Sequence, residues 1–167
     1  TPDKDDKIFL LGKTNNELKH SVYDKIIGVG KTNLPNVDNK TALKTYKNFE
    51  KANKLKIINS AIGVDLGGVG IAISKMAIAS KKGLFIDLKS KNKNSVDQFL
   101  FSETQSRILV SIKKSKLQKF KKIFKDSNYV CIGECTGSDL IEFKNGNKII
   151  KSKIEDFDEN DGVDSVS

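Results

Sequence analysis

The sequence is poor in the residues that define disulfide-rich, metal-rich and membrane proteins. Its 167 residues include no tryptophan, two prolines, two cysteines, one methionine and one histidine. No run of about 18 apolar residues occurs, so we predict no membrane-spanning helix. The first residues, 1–7, lack a signal-peptide pattern and an initiator methionine. We therefore expect one cytoplasmic domain with a real hydrophobic core, which belongs to a longer or processed protein.

The two cysteines predict neither a disulfide nor a metal site. Cys131 and Cys135 are four residues apart in an apolar segment. On a strand they would share one face, about 13 Å apart, which is too far for a disulfide. One such pair with a distant His20 is a poor zinc site, so no metal ligands are predicted. We expect both cysteines to be small buried side chains in a reducing compartment.

The positive charge is carried almost entirely by lysine. The net charge is +9, and Arg107 is the only arginine. The lysines are scattered and lack interleaved aromatic residues, which makes nucleic acid an unlikely partner. Guanidinium is a planar fork that binds phosphate or carboxylate through two parallel hydrogen bonds. A single arginine beside Ser-Glu-Thr-Gln-Ser therefore points to a specific contact.

Apolar periodicity predicts strands that alternate with helices and a hairpin at the end. A polar loop is predicted over 89–95, and Asn145-Gly146 is a strong type I′ turn signal. The fold class is therefore α+β (mixed α/β), with a mixed sheet flanked by helices and closed by a C-terminal hairpin. Residues 1–155 are predicted to form the domain and residues 156–167 an acidic flexible tail. The predicted strands cover 7–12, 56–64, 83–88, 107–112, 130–135, 139–143 and 148–150. The predicted helices cover 21–28, a segment capped by Asp38, a segment after Gly68, and 116–125. The apolar face of the helix capped by Asp38 is predicted to be Ala42, Leu43, Tyr46, Phe49 and Ala52.

Two motifs carry candidate chemistry. The turn at Gly67 and Gly68 ends a strand and begins a helix, which places backbone N–H groups and the positive helix end together, a ready anion site. The alternative is that these glycines only permit a tight turn and close packing. The second motif is the run Ser102, Glu103, Thr104, Gln105, Ser106, Arg107, which is either an anion-binding loop or a structural ion pair. His20 lacks a partner for catalysis, and we expect a surface or capping role.

Four segments together resemble the C-terminal domain of the aminoimidazole-ribonucleotide-synthetase superfamily. Within it they are most similar to the last such domain of the phosphoribosylformylglycinamidine synthases of the large-subunit type. The resemblance covers roughly residues 5–155, and its most specific part is Leu-Phe-Ser-Glu-x-Gln-Ser-Arg. The segments are 8–12, 60–77, 100–107 and 132–137.

The resemblance implies one part of an ATP-dependent ligase of purine biosynthesis. ATP and Mg²⁺ in the full-length enzyme would activate the amide oxygen of formylglycinamide ribonucleotide, and ammonia from a glutaminase would displace the phosphate. It implies as partners an N-terminal domain of the same superfamily and the glutaminase, and it leaves a homodimer open. The catalytic residues are unknown, and the isolated chain is expected to be inactive with no cofactor tightly bound. The implied phosphate or substrate ligands are Gly67, Gly68, Ser102, Glu103, Gln105, Ser106 and Arg107.

The sequence departs from the family pattern in two places. The family turn His-Asp-Val-Ser-Asp-Gly-Gly is replaced here by Ile62-Gly63-Val64-Asp65-Leu66-Gly67-Gly68. The family Gly-Gly-Ser-Glu-Tyr is replaced by Lys19-His20-Ser21-Val22-Tyr23. These losses put metal or base roles at both places in doubt. Two alternatives therefore remain: a related ATP-using enzyme (ring-closing synthetase, thiamine-monophosphate kinase or selenophosphate synthetase type), or a catalytically degenerate module for scaffolding or dimerisation.

Overall fold

The computed structural model describes residues 1–89 and 95–157. The strands are β1 (Lys7–Leu11), β2 (Ile58–Val64), β3 (Leu84–Asp87), β4 (Arg107–Ile112), β5 (Tyr129–Cys135), β6 (Leu140–Asn145) and β7 (Lys148–Lys153). The helices are α1 (Val22–Ile27), α2 (Asn39–Lys54), α3 (Gly68–Ser80), α4 (Val96–Phe101) and α5 (Leu117–Phe124). No helix in this described part is both long and apolar enough to cross a membrane.

All seven strands form one mixed sheet in the order β2-β4-β1-β5-β3-β6-β7. Neighbouring strands are antiparallel except for β3 and β6, which are parallel. The predicted mixed sheet with flanking helices and a closing hairpin is therefore confirmed. Most of the predicted loop over 89–95 and most of the predicted tail over 156–167 lie outside the described residues.

Strand β1, an inner strand of the sheet, is buried on both faces because helices pack against each of them. Ile8 and Leu10 pack into a core with α3, whereas Phe9 and Leu11 pack into a second core with α5. Side chains alternate between the two faces of a strand, so one apolar run supplies both cores. Helix α3 contributes five buried apolar residues to the first core, as its nearly continuous apolar sequence predicts.

The helix ends follow the capping chemistry in the sequence. Ser21 and Asp38 accept hydrogen bonds from backbone N–H groups at the starts of α1 and α2, as side-chain caps do. Gly28 ends α1 in the left-handed conformation with φ of +73°. Helix α4 was not predicted, although Ser95 and Gln98 form a reciprocal capping box at its start.

Two expectations about burial are wrong. Leu43 and Tyr46, predicted on the inner face of α2, are exposed, because the buried face of that helix runs through Ala42, Thr45 and Ala52. Cys131 is exposed whereas Cys135 is buried. The register of β5 against β1 shifts at this point, which interrupts the alternation of faces. The two thiols therefore do not share a face.

Candidate functional site

The glycine turn and the run from Ser102 to Arg107 lie against each other. Gly67 and Gly68 both adopt positive φ, +77° and +70°. A Cβ on Gly68 would lie 2.6 Å from the carbonyl oxygen of Leu100 and 2.7 Å from that of Ser102. Only glycine therefore lets the start of α3 approach the end of α4 so closely. The structure thus brings together two motifs that are more than thirty residues apart in sequence.

Glu103 occupies the anion position of the glycine turn. Its carboxylate oxygen Oε1 accepts hydrogen bonds from the backbone N–H groups of Gly67 and Val22, both at 2.9 Å. These amides lie at the starts of α3 and α1, where N–H groups have no partner within their own helix. The N–H of Gly68 donates to the carbonyl oxygen of Asp65 at 2.9 Å. The turn therefore binds an anion, and in this structure the anion is a side chain of the same protein.

The Arg107 side chain is buried, and its hydrogen bonds stay inside the domain. Nε donates to the carbonyl oxygen of Thr104 at 2.9 Å, and Nη1 donates to Oγ1 of Thr14 at 3.1 Å. Nη2 donates to the carbonyl oxygen of Ser102. Burial lowers the pKa of the guanidinium to about 10, although the carboxylates of Glu17 and Glu103 act to raise it. In this conformation the planar fork holds the loop that precedes β4.

The same loop is joined to the segment that follows β1. Oγ of Ser102 accepts from the N–H of Glu17 at 3.1 Å and donates to the carbonyl oxygen of Asn15 at 2.7 Å. Oγ1 of Thr104 accepts from the N–H of Asn15 at 3.1 Å. Ser102 and Thr104 are both buried, so their hydroxyls satisfy backbone groups that water does not reach. We call residues 13–17 the β1 loop.

Gln105 and Ser106 are the members of the predicted ligand set that reach open space. Gln105 is exposed, and Ser106 is half-buried with φ of +63°. Both line a small cleft of about 100 Å³ together with Lys13 and Asn15. They also line a larger cleft beside β2. A ligand could therefore contact these two side chains without displacing the internal hydrogen bonds.

The β1 loop lines an open depression of about 820 Å³. Lys13 is the one cationic side chain among the described residues that line it, and Asn33 and Asn128 add amide groups. Glu17 is 5% exposed. Its Oε2 atom and the Oδ1 atom of Asn16 are buried without a hydrogen-bond partner. Buried acceptors are normally paired, so these two oxygens mark a place for a donor-bearing ligand or water.

Sequence reasoning missed this loop. A signal was present, since Lys13, Thr14, Asn15, Asn16 and Glu17 follow a buried strand directly after Gly12, and polar side chains at the end of a buried strand often bind ligands. Gly12 has φ of +91°, and a Cβ there would lie 2.8 Å from the carbonyl oxygen of Ser106. The glycine thus lets the β1 loop lie against the run from Ser102 to Arg107.

His20 has the surface position that the sequence predicts. His20 is exposed, and its backbone N–H donates to the Asp24 carboxylate at 2.7 Å. The described residues include no group of three or more His, Cys, Asp or Glu side chains that could hold a metal ion.

Comparison with known proteins identifies the family. The family described as "AIR synthase related protein, C-terminal domain" matches residues 6–144. The chain belongs to this family. The predicted resemblance is thereby confirmed, and all four segments that carry it lie within the matched range.

Several curated relatives are subunits of one enzyme. The chain is 33% identical over 156 residues to the phosphoribosylformylglycinamidine synthase subunit PurL of Thermococcus sibiricus, covering 91% of this chain and 22% of the relative. It is 40% identical over 113 residues to PurL of Sulfurovum sp., covering 67% of this chain and 15% of the relative. The chain therefore spans about a fifth, or less, of the length of these relatives.

Solved structures share the fold. T. maritima PurL complexed with FGAR matches with a TM-score of 0.78 at 16% identity, covering 93% of this chain and 28% of that chain. E. coli HypE, a hydrogenase maturation protein, matches with a TM-score of 0.68 at 11% identity, covering 92% of this chain and 50% of that chain. At these identities the likeness is one of fold, and it confirms the AIR-synthase-like architecture.

Proposed function

We propose that the chain is one domain of a phosphoribosylformylglycinamidine synthase, and that it forms one wall of a site for a phosphate-bearing ligand. Its curated relatives over most of its length carry that activity in their names. The full enzyme would use ATP to activate the amide oxygen of formylglycinamide ribonucleotide, and ammonia would replace the phosphate. The N-terminal domain would supply the other part of the ligand site, and the glutaminase would supply the ammonia.

The observation that carries the ligand site is the pair of buried, unpartnered acceptors on Asn16 and Glu17, two residues that line the cleft of the β1 loop. A buried carboxylate oxygen without a donor is costly, so Glu17 fits a ligand that brings hydroxyl or N–H groups. Lys13 is exposed at the same cleft and can bind phosphate as a point charge. Ser102, Thr104 and Arg107 would position the loop, while Gln105 and Ser106 would line its outer wall. Contact of phosphate with Gly67, Gly68 or Arg107 stays a prediction, since their present hydrogen bonds would have to be exchanged.

Binding measurements on two variants test the two ends of the ligand independently, the phosphate at Lys13 and the hydroxyl or N–H groups at Glu17. Lys13→Met should weaken binding of formylglycinamide ribonucleotide to the chain about tenfold, the usual effect of losing a charged hydrogen bond. Glu17→Gln should weaken binding of the same ribonucleotide but leave inorganic phosphate binding unchanged. Isothermal titration calorimetry measures both, and Lys148→Met, an exposed lysine elsewhere, is the matched control. Unchanged binding in both cleft variants would contradict the proposed site.

The activity test uses the whole enzyme. The chain alone should not turn over formylglycinamide ribonucleotide with ATP and ammonium, and addition of the remaining domains should restore turnover. Product formation by the isolated chain would sink the proposal that it is one part of a composite site. Thermal-shift measurements with the substrates of the related ATP-using enzymes would distinguish those activities from the synthase.

A structural role inside the enzyme is the second candidate. It is favoured by one observation: the amides of Gly67 and Gly68 and the guanidinium of Arg107 are all bonded within the domain. Under this alternative, Lys13→Met and Glu17→Gln would leave both ligand binding and the turnover of the full enzyme unchanged.

A further inference from the structure

Strand β2 is an outer strand of the sheet and carries no charged side chain. Its sequence is Ile-Asn-Ser-Ala-Ile-Gly-Val, in a protein where 31% of the residues are charged. In the part of the chain that the structure describes, it pairs with β4 alone. The other side of its backbone therefore presents a row of N–H and C=O groups that can bind another strand.

The opposite edge of the sheet has the protection that β2 lacks. Strand β7 carries Lys148, Lys151 and Lys153 along its six residues. Lysines on an outer strand prevent pairing with other chains, because pairing would bring together and bury their charges. The contrast between the two edges indicates that another strand can pair with β2 but not with β7.

The outer surface of β2 is open to an approaching strand. Ala61 and Gly63 are exposed, and a Cβ on Gly63 would meet no atom within 4 Å. Beside the strand lies a cleft of about 560 Å³ lined by Tyr46, Phe49 and Ile62. Tyr46 is 47% exposed. A strand added at this edge would therefore find apolar surface as well as free backbone groups.

The charges at the two ends of β2 specify the occupant. Lys56 lies just before the strand and Asp65 just after it, and both are exposed. Neither side chain has an ion-pair partner among the described residues. If two copies pair antiparallel about a two-fold axis near Ala61, Lys56 of each copy meets Asp65 of the other. A parallel arrangement would bring like charges together.

We propose that β2 pairs antiparallel with β2 of a second copy, which joins two sheets into one across a two-fold interface. The cleft beside β2 shares Gln105 and Ser106 with the outer wall of the proposed ligand site, whereas the β2 backbone and the Lys56–Asp65 contacts lie outside that site. The interface rests on the backbone and these contacts, so it does not depend on the proposed function. It uses backbone hydrogen bonds for affinity and the two Lys56–Asp65 contacts for direction and register.

The oligomeric state of the 167-residue chain tests the interface. Sedimentation equilibrium at concentrations from roughly 1 µM to 1 mM, the range of weak to moderate affinities, should show monomer converting to dimer. Ala61→Lys should abolish the dimer, and Ile150→Lys, the matched charge on the β7 edge, should leave it intact. A monomer throughout the range, or equal effects of the two substitutions, would overturn the proposal.

Charge reversal tests the pairing without altering the strand itself. Lys56→Asp and Asp65→Lys should each raise the dimer dissociation constant roughly tenfold, since two contacts are lost by symmetry. The double variant carrying both changes should regain the affinity of the original chain. Failure of the double variant to recover, while each single variant is weakened and folded, would reject the antiparallel register.

Hydrogen exchange distinguishes strand pairing at β2 from a general change in the stability of the fold. Amides of residues 58–64 should become more slowly exchanging as the concentration rises through the dimer transition, while those of β7 should not change. Protection that appears on β7 instead would place the interface at the wrong edge and overturn the proposal.

Discussion

The guanidinium of Arg107 joins the loop before β4 to the β1 loop. The solitude of this arginine among lysines predicts a role that depends on the guanidinium fork. The structure gives that fork three partners, the carbonyl oxygens of Ser102 and Thr104 and the hydroxyl of Thr14 in the β1 loop. The sequence could not tell which groups the fork meets. Two of the partners are backbone carbonyls, and any residue type provides a carbonyl, so only the folded path of residues 102–104 determines the contact.

Replacing Arg107 should cost stability rather than only ligand affinity. We expect Arg107→Met to lower the free energy of unfolding by about 3 kcal/mol, because two buried carbonyl oxygens lose their donor and Glu17 loses a neighbouring positive charge. Urea unfolding followed by circular dichroism measures the change. Lys148→Met, which removes an exposed cation, should stay within about 0.5 kcal/mol of the original chain. Equal stability of both variants would contradict the structural role.

The two thiols should differ in reactivity. Cys131 is exposed, whereas burial raises the pKa of the Cys135 thiol. Alkylation needs the thiolate and access to it, so Cys131 should react at least roughly tenfold faster than Cys135 in the folded protein. Mass spectrometry of timed iodoacetamide labelling measures the ratio, and labelling in urea should remove the difference. Comparable rates in the folded state would contradict the register shift in β5.

At the scale of elements, α1 depends on neighbours rather than on a buried face. None of its residues is buried, although its apolar positions predict an inward face. It is held by the Ser21 cap, by the Glu103 carboxylate at the Val22 amide, and by stacking of Tyr23 on Phe101 with ring centroids 4.7 Å apart. Its periodicity predicted the helix correctly, but sequence alone could not reveal that the helix lies on the surface.

Glu103 should therefore control the local stability of α1. Glu103→Ala frees the Val22 and Gly67 amides, and we expect hydrogen exchange in α1 to become about tenfold faster, which corresponds to losing one charge-assisted hydrogen bond. Exchange in β1 and β4 should change much less. Glu50→Ala, which removes an exposed carboxylate from α2, is the control. If α1 exchanges at the original rate in the Glu103 variant, another contact must hold the helix.

Element boundaries show where sequence patterns lose information. Strand β4 begins and ends where its apolar run predicts, because both of its faces are largely buried. Helix α4 was missed because Phe99, Leu100 and Phe101 are consecutive, and a short apolar run does not distinguish a helix from a strand. The shift in β5 was missed because an extra residue in a strand alters no composition, only the side to which later side chains point.

For the molecule as a whole, the fold class and family follow from sequence, but the close approach of strands does not. Gly133 lies where β5 passes β3, and a Cβ there would collide with the carbonyl oxygen of Phe85. In the sequence this glycine looks like any weak point in a strand. Its real constraint comes from a backbone almost fifty residues earlier.

Two glycines of the same sheet make a matched test. Gly133→Ala should destabilise the protein by about 3 kcal/mol or more, because backbone on both strands must shift to relieve the collision. Gly63→Ala, with open space around the new methyl group, should change stability by less than about 1 kcal/mol and can increase it. Guanidinium unfolding of both variants measures the difference. Similar values would show that β3 and β5 adjust freely to each other.

The central place of β1 has a consequence for how the protein is made. Its partners β4 and β5 begin at Arg107 and Tyr129, about a hundred residues later in the order of translation. At typical synthesis rates the apolar strand leaves the ribosome roughly 5–20 s before either partner exists. During that interval β1 has no neighbouring strand to pair with, so the nascent chain exposes an apolar segment that chaperones can bind. A chain that ends before β5 cannot complete the sheet.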